Sequence, residues 1–134
     1  NHENDLNYYK KLFSNHISKK MICTNPDLIV DRGEKREFCA GSVARAFEEI
    51  KGEVMYFGKP HPPVYNLSTN VLNKRVLCIG DNLNTDIKGA NIQNFDSLLV
   101  TNGIHRQEIL KIELKEVLKK YQVNVDYTQK NFKW

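Results

Sequence analysis

Two aspartates that could hold a cation, Asp81 and Asp86, stand in the segment Ile79-Gly80-Asp81-Asn82-Leu83-Asn84-Thr85-Asp86. The apolar run Val76-Leu77-Cys78-Ile79 leads into it, and Ile87-Lys88-Gly89-Ala90 leads out. The pattern reads as a buried strand ending in a carboxylate, a polar turn, and a helix start carrying a second carboxylate. In an open parallel sheet, ligands bind in the crevice beyond the carboxyl ends of the strands. Two carboxylates there suit a hard cation such as Mg²⁺. The same residues also fit a plain helix N-terminus, where Asp86 would gain about 0.3–1 kcal/mol from the helix dipole. A calcium EF-hand loop is excluded, because Leu83 fills its third position and Asp86 stands where the glycine belongs.

Upstream, Lys59 stands between Gly58 and Pro60. A lone lysine in a turn is ordinarily only solvated. Here glycine permits close backbone approach and proline stiffens the exit. An ammonium so placed is a point charge suited to a phosphate or a carboxylate nucleophile. Lysine, paired carboxylates and a sheet edge together point to phosphoryl chemistry, where charge neutralisation supplies most of the catalysis. Thr24-Asn25-Pro26-Asp27 forms either an Asx-type turn or donors and acceptors that close over a ligand. Ala40-Gly41-Ser42 reads first as a helix cap and second as an anion site. His61 is a loop histidine that could touch substrate.

Positioning these groups requires α/β architecture. From about residue 53 the order is strand, helix, strand, helix, strand, helix, the pattern of a parallel sheet. Strands are expected at 21–23, 54–57, 76–79 and 97–100, the last two adjacent and parallel. Helices are expected at 4–17, capped by Asn4, and from Ser42 to Gly52 with Val43, Phe47 and Ile50 inward. Others begin at Pro62-Pro63, with a Val64, Leu67, Val71 stripe, and span 85–92. A long one covers 105–121, with Leu110, Leu114, Val117 and Tyr121 inward. Residues 28–37 read as a loop or hairpin around Gly33, and 123–134 as a last strand or a loose tail.

The 134 residues, 40% hydrophobic and 27% charged, fit one ordinary globular domain. No apolar run approaches the ~20 residues of a membrane span. The net charge of +4 comes from lysines scattered over two helix faces, so neither a membrane nor a nucleic-acid partner is expected. Cys23, Cys39 and Cys78 form no C-x-x-C pair. A zinc site is therefore not expected, and an odd, widely spaced set favours the reducing cytoplasm, with Cys23 and Cys78 buried.

Thr24-Asn25-Pro26-Asp27, Ala40-Gly41-Ser42, Gly58-Lys59-Pro60 and the run from Gly80 to Ala90, in this order, resemble the haloacid dehalogenase superfamily, specifically its class IIA, NagD-like phosphatases. The resemblance covers roughly residues 18–105. It implies a partial Rossmann-like parallel core, residues 58–134, preceded by the end of an α+β cap, residues 1–57. It implies Mg²⁺-dependent hydrolysis of a small phosphorylated metabolite through a phosphoaspartate. In that scheme Lys59 steadies nucleophile and phosphate, Asp81 binds the metal, and Asp86 supports it through water. Lys59 and Asp81 should then face one cleft. Thr24, Asn25 and Asp27 fall in the cap, which selects substrate.

One departure from the family is chemical. Its nucleophile is the first Asp of a D-x-D motif. The aspartates here are Asp5, Asp27, Asp31, Asp81, Asp86, Asp96 and Asp126, and no two are separated by two. The chain is therefore expected to be the C-terminal half of such an enzyme, inactive alone, with its nucleophile supplied elsewhere. Partners would be a separate N-terminal half or a second copy. The alternative is a non-catalytic degenerate fragment or an interaction subunit.

Overall fold

The computed structural model describes residues 5–69 and 74–133. The chain divides into two compact units, Asn1–His61 and Pro62–Trp134.

The first unit begins with α1, Leu6–Phe13. Its cap is Asp5, whose Oδ1 accepts the Asn7 and Tyr8 N–H groups at 3.0 and 3.1 Å. The cap expected at Asn4 lies outside the described residues. The helix stops short of residue 17, and a 3₁₀ turn, Ser14–His16, carries the chain on. β1, Lys20–Cys23, pairs in parallel with β4, Glu53–Tyr56, in the register Lys20↔Glu53 to Cys23↔Tyr56. Between them lie the hairpin β2, Ile29–Arg32, with β3, Lys35–Phe38, and then α2, Ala40–Glu49.

α2 starts two residues before the expected cap. Ser42 is buried inside it and donates its hydroxyl to the Leu28 carbonyl at 2.6 Å. The buried face is Gly41, Ser42, Ala44, Ala46 and Phe47; of the expected inward residues Phe47 is buried, whereas Val43 and Ile50 are only half-buried. Small residues let the helix lie close to the sheet, and Phe47 meets Phe13 of α1 edge-on at 5.7 Å. The left-handed residue past the helix end is Lys51, at φ 71°, not Gly52.

The second unit opens with α3, Pro62–Ser68. Its buried residue is Tyr65, whereas Leu67, expected inward, is 84% exposed; Val71 lies outside the described residues. β5, Leu77–Gly80, pairs in parallel with β6, Asp96–Val100, as expected. The connection is one π-helical turn, Leu83–Ile87, running into α4, Lys88–Gln93. The expected long helix is broken into α5, Arg106–Ile109, and α6, Leu114–Tyr121. Leu110 falls in the break and is 86% exposed. The tail is ordered, with β7, Tyr127–Gln129, adding in parallel to β6. The sheet order is thus β5-β6-β7. β4, expected in the same series, belongs instead to the two-stranded sheet of the first unit.

Leu83, Ile87, Leu99, Val117 and Val123 form the core of the second unit, with Leu114, Leu118 and Tyr121 packed against it. Two of these residues belong to the turn that carries the aspartates. Cys23 is buried as expected, but Cys78 is only half-buried. Among the described residues no helix is long and apolar enough to cross a membrane.

Candidate active site

In the first unit, two of the expected motifs leave the same end of one sheet. Thr24-Asn25-Pro26-Asp27 follows β1 and Gly58-Lys59-Pro60 follows β4, and the Phe57 N–H donates to the Cys23 carbonyl at 2.9 Å. Strand pairing therefore brings Lys59 beside Thr24–Asp27. The Asp27 N–H donates to Asn25 Oδ1 at 3.2 Å, closing an Asx turn. The Gly41 N–H donates to the Asp27 carbonyl at 3.1 Å, so the start of α2 braces this loop. The side chains of Thr24, Asn25 and Lys59 are exposed, and Asp27 is half-buried. His61 stacks on Tyr56 with ring centroids 5.0 Å apart. The Tyr56 hydroxyl donates to Glu48 at 2.9 Å, and burial raises its pKa.

In the second unit, Asp81 leaves the carboxyl end of β5. Its Oδ2 accepts the Ile104 N–H at 3.0 Å. Ile104 belongs to the loop beyond the carboxyl end of β6, so two adjacent strand ends converge on one carboxylate. The preceding residue must be glycine, since a Cβ at Gly103 would lie 2.2 Å from Asp81 Oδ2. Asp86 is buried, at 7% exposure. Its Oδ2 accepts two backbone N–H groups, from Asp81 and Asn82, each at 3.1 Å. The second carboxylate therefore shapes the backbone that presents the first. A Cβ at Gly80 would meet Asp86 Cγ at 2.1 Å, which makes glycine necessary there too. Asn82 adds a cap, its Oδ1 accepting the Asn84 N–H at 3.0 Å.

The residues that support this turn are less visible in sequence. His105 is one, its Nε2 accepting the Leu83 N–H at 3.2 Å. Glu108 is another. It receives Lys120 Nζ at 2.5 Å and the Tyr121 hydroxyl at 3.1 Å. The Lys120 hydrogen bond is the chief cause that holds its carboxyl below the usual glutamate range. A depressed carboxyl stabilises the fold above its unfolded pKa, near 4.3 for glutamate, and loses that effect as pH falls through the folded value. Glu108→Gln is thus expected to lower the unfolding midpoint modestly at pH 7 and not at all at strongly acid pH. Equal losses at both pH values would count against the ion pair. The signal for this region was the Gly103-Ile104-His105 run just after a strand. Tyr65 was also missed. Its hydroxyl is buried with no hydrogen-bond partner among the described residues, and burial pushes its pKa up to about 12.

Mg²⁺ keeps several waters and is commonly held by one or two protein carboxylates. Asp81, half-buried at a strand end, with Asp86 behind it, meets that requirement. Among the described residues no group of three His, Cys, Asp or Glu gathers as a fuller cation site.

A carboxylate turn at the end of β5, with a helical crossover to the parallel strand β6, is the arrangement of a partial Rossmann-like core. Residues 56–124 match the HAD-hydrolase-like family model, and the chain belongs to that family. Dihydroxyacetone phosphatase of Corynebacterium glutamicum is 32% identical over 89 residues, covering 63% of this chain and 32% of that protein. Ribonucleotide monophosphatase NagD of Escherichia coli is 29% identical over 89 residues, covering 63% and 34%. The crystal structure of a haloacid dehalogenase-like hydrolase from Brucella suis has a TM-score of 0.65 at 31% identity, covering 75% of this chain and 40% of that one. The chain spans about a third of the length of the two curated relatives, at 32% and 34%.

Proposed function

We propose that this chain supplies the metal and lysine half of a Mg²⁺-dependent phosphatase that hydrolyses a small phosphate ester through a phosphoaspartate. The observation that carries the reading is the Asp81 turn, which two strand ends and Asp86 hold at the carboxyl end of β5. When bound, Mg²⁺ supplies positive charge against the phosphoryl oxygens. Asp81 would hold the cation, with Asp86 fixing the turn behind it. Lys59 would balance charge on the nucleophile and the phosphoryl group. Thr24, Asn25 and Asp27, beside Lys59, would contact the substrate. The family names of the relatives support a phosphatase, and their dihydroxyacetone phosphate and ribonucleotide monophosphate chemistry supports a small phosphorylated metabolite. Three widely spaced cysteines with no C-x-x-C pair support a reducing, cytoplasmic setting.

In this reading the nucleophilic aspartate lies outside these 134 residues. β5 ends the sheet order β5-β6-β7, and Leu77 on it is exposed. Such an edge can accept a further strand. The same edge favours the second reading, an interaction subunit without catalysis.

The 134-residue chain is expected to give no Mg²⁺-dependent turnover of p-nitrophenyl phosphate. Turnover should appear when a D-x-D-bearing N-terminal half of a related phosphatase is added, and should vanish with Asp81→Asn. Turnover by the chain alone that Asp81→Asn abolishes would overturn the need for an outside nucleophile. A folded complex of the two halves that stays inactive would favour the interaction subunit.

A further inference from the structure

We propose that His105 is a positioning residue for the Asp81 turn, its neutral imidazole gripping the Leu83 N–H so that the carboxylate is presented to the cation. This inference rests on the reading of Asp81 as the metal carboxylate. The geometry is a short chain of contacts. His105 Nε2 accepts the Leu83 N–H at 3.2 Å, two residues after Asp81. An imidazole nitrogen that accepts carries no proton, so the proton of the neutral ring is on Nδ1. Nδ1 faces Glu108 Oε2 at 3.7 Å. Glu108 is held in turn by Lys120 and the Tyr121 hydroxyl. The ring also packs edge-on against Tyr121, with centroids 4.8 Å apart. Its side chain is only 11% exposed, so water competes poorly for Nε2.

Two features make this more than packing. The residue before His105 donates its N–H to Asp81 Oδ2, so backbone and side chain of one dipeptide grip both sides of the turn. The turn is a single π-helical turn, and N–H groups at its start are not paired within the helix. Leu83 is such a position, and its side chain is anchored in the core at 0% exposure. A histidine is suited to the role. Its acceptor stands at the end of a flat, stiff ring, and the second nitrogen reports to a fixed carboxylate that selects the tautomer.

The test compares His105→Phe, which keeps a ring against Tyr121 but has no acceptor, with His105→Gln, whose amide oxygen can still accept. Both are made in the full 134-residue chain. Three quantities are read by NMR: the His105 tautomer from ring ¹⁵N shifts, amide hydrogen exchange at Leu83 and Leu99, and shifts on titration with MgCl₂ alone. The wild type is expected to show the Nδ1–H tautomer. His105→Phe should speed exchange at Leu83 at least tenfold with little change at Leu99, and should weaken Mg²⁺ binding several-fold. His105→Gln should recover most of both. The Nε2–H tautomer in the wild type, or unchanged Leu83 exchange in His105→Phe, would overturn the inference. Equal acceleration at Leu83 and Leu99 would overturn it as well, making the histidine a general core residue. If the wild type binds no Mg²⁺, the metal reading of Asp81 fails, while tautomer and exchange still decide whether His105 grips the turn.

Discussion

Replacing Asp86 by alanine is expected to destabilise the chain by roughly 2–4 kcal/mol, a loss visible as a lower urea midpoint. Asp86 is 7% exposed and its Oδ2 accepts the N–H groups of Asp81 and Asn82. Alanine leaves both donors in a half-buried turn without that acceptor. Removing one partner of a buried hydrogen bond costs about 1–3 kcal/mol per abandoned group, more when the lost partner is charged. Asp86→Asn keeps an acceptor oxygen of the same size and should lose less than half as much. Asp81→Asn should barely move the midpoint, because the bond its side chain accepts from the Ile104 N–H is one that an amide oxygen also satisfies. The order Ala > Asn at 86, with 81 nearly silent, separates a carboxylate that builds the turn from one that the turn presents. If Asp86→Ala unfolds at the wild-type midpoint, the turn does not depend on this carboxylate.

That division of labour was only partly legible in the sequence. The parallel pair β5–β6 was legible because continuous apolar runs joined by a short polar connection leave few other geometries. So was the placing of Asp81 at a strand end. What Asp86 bonds to was not, because nothing in residue spacing says that a carboxylate folds back onto the two N–H groups before it. Tertiary context also decided the helix from 105 to 121. Its pattern allowed one amphipathic helix through Leu110, yet the chain breaks there, and α6 restarts with Val117 and Tyr121 inward. The Ser42 cap failed for a related reason. Serine at a helix start usually caps it, but here its hydroxyl reaches the Leu28 carbonyl, fourteen residues back in sequence and adjacent only in the fold. His105 could be seen in the sequence only as a histidine after a strand. Its bond to Leu83 spans a loop whose path is set by Gly103 lying against Asp81.

The largest single loss is expected for Leu99→Ala, about 3–5 kcal/mol. Leu99 is 0% exposed on β6, the middle strand of its sheet, in register with Gly80 on one side and Thr128 on the other. It belongs to the cluster of Leu83, Ile87, Val117 and Val123. Truncation removes the buried methyls and leaves a cavity that neighbouring strands cannot close without losing pairing. Against a total stability of ~5–15 kcal/mol for an ordinary domain, that is a large share. Leu67→Ala supplies the contrast. The change in side chain is identical, but Leu67 is 84% exposed, and a surface truncation of this kind stays within about 0.5 kcal/mol. The consequence for the site follows from which residues share the core. Leu83 and Ile87 lie inside the π-helical turn, so the hydrophobic contacts that hold Leu99 are the floor under Asp81 and Asp86. A cavity at Leu99 should therefore accelerate amide exchange at Asn82 and Leu83 before it does so along α6. If Leu99→Ala and Leu67→Ala shift the urea midpoint equally, the core does not seat the turn.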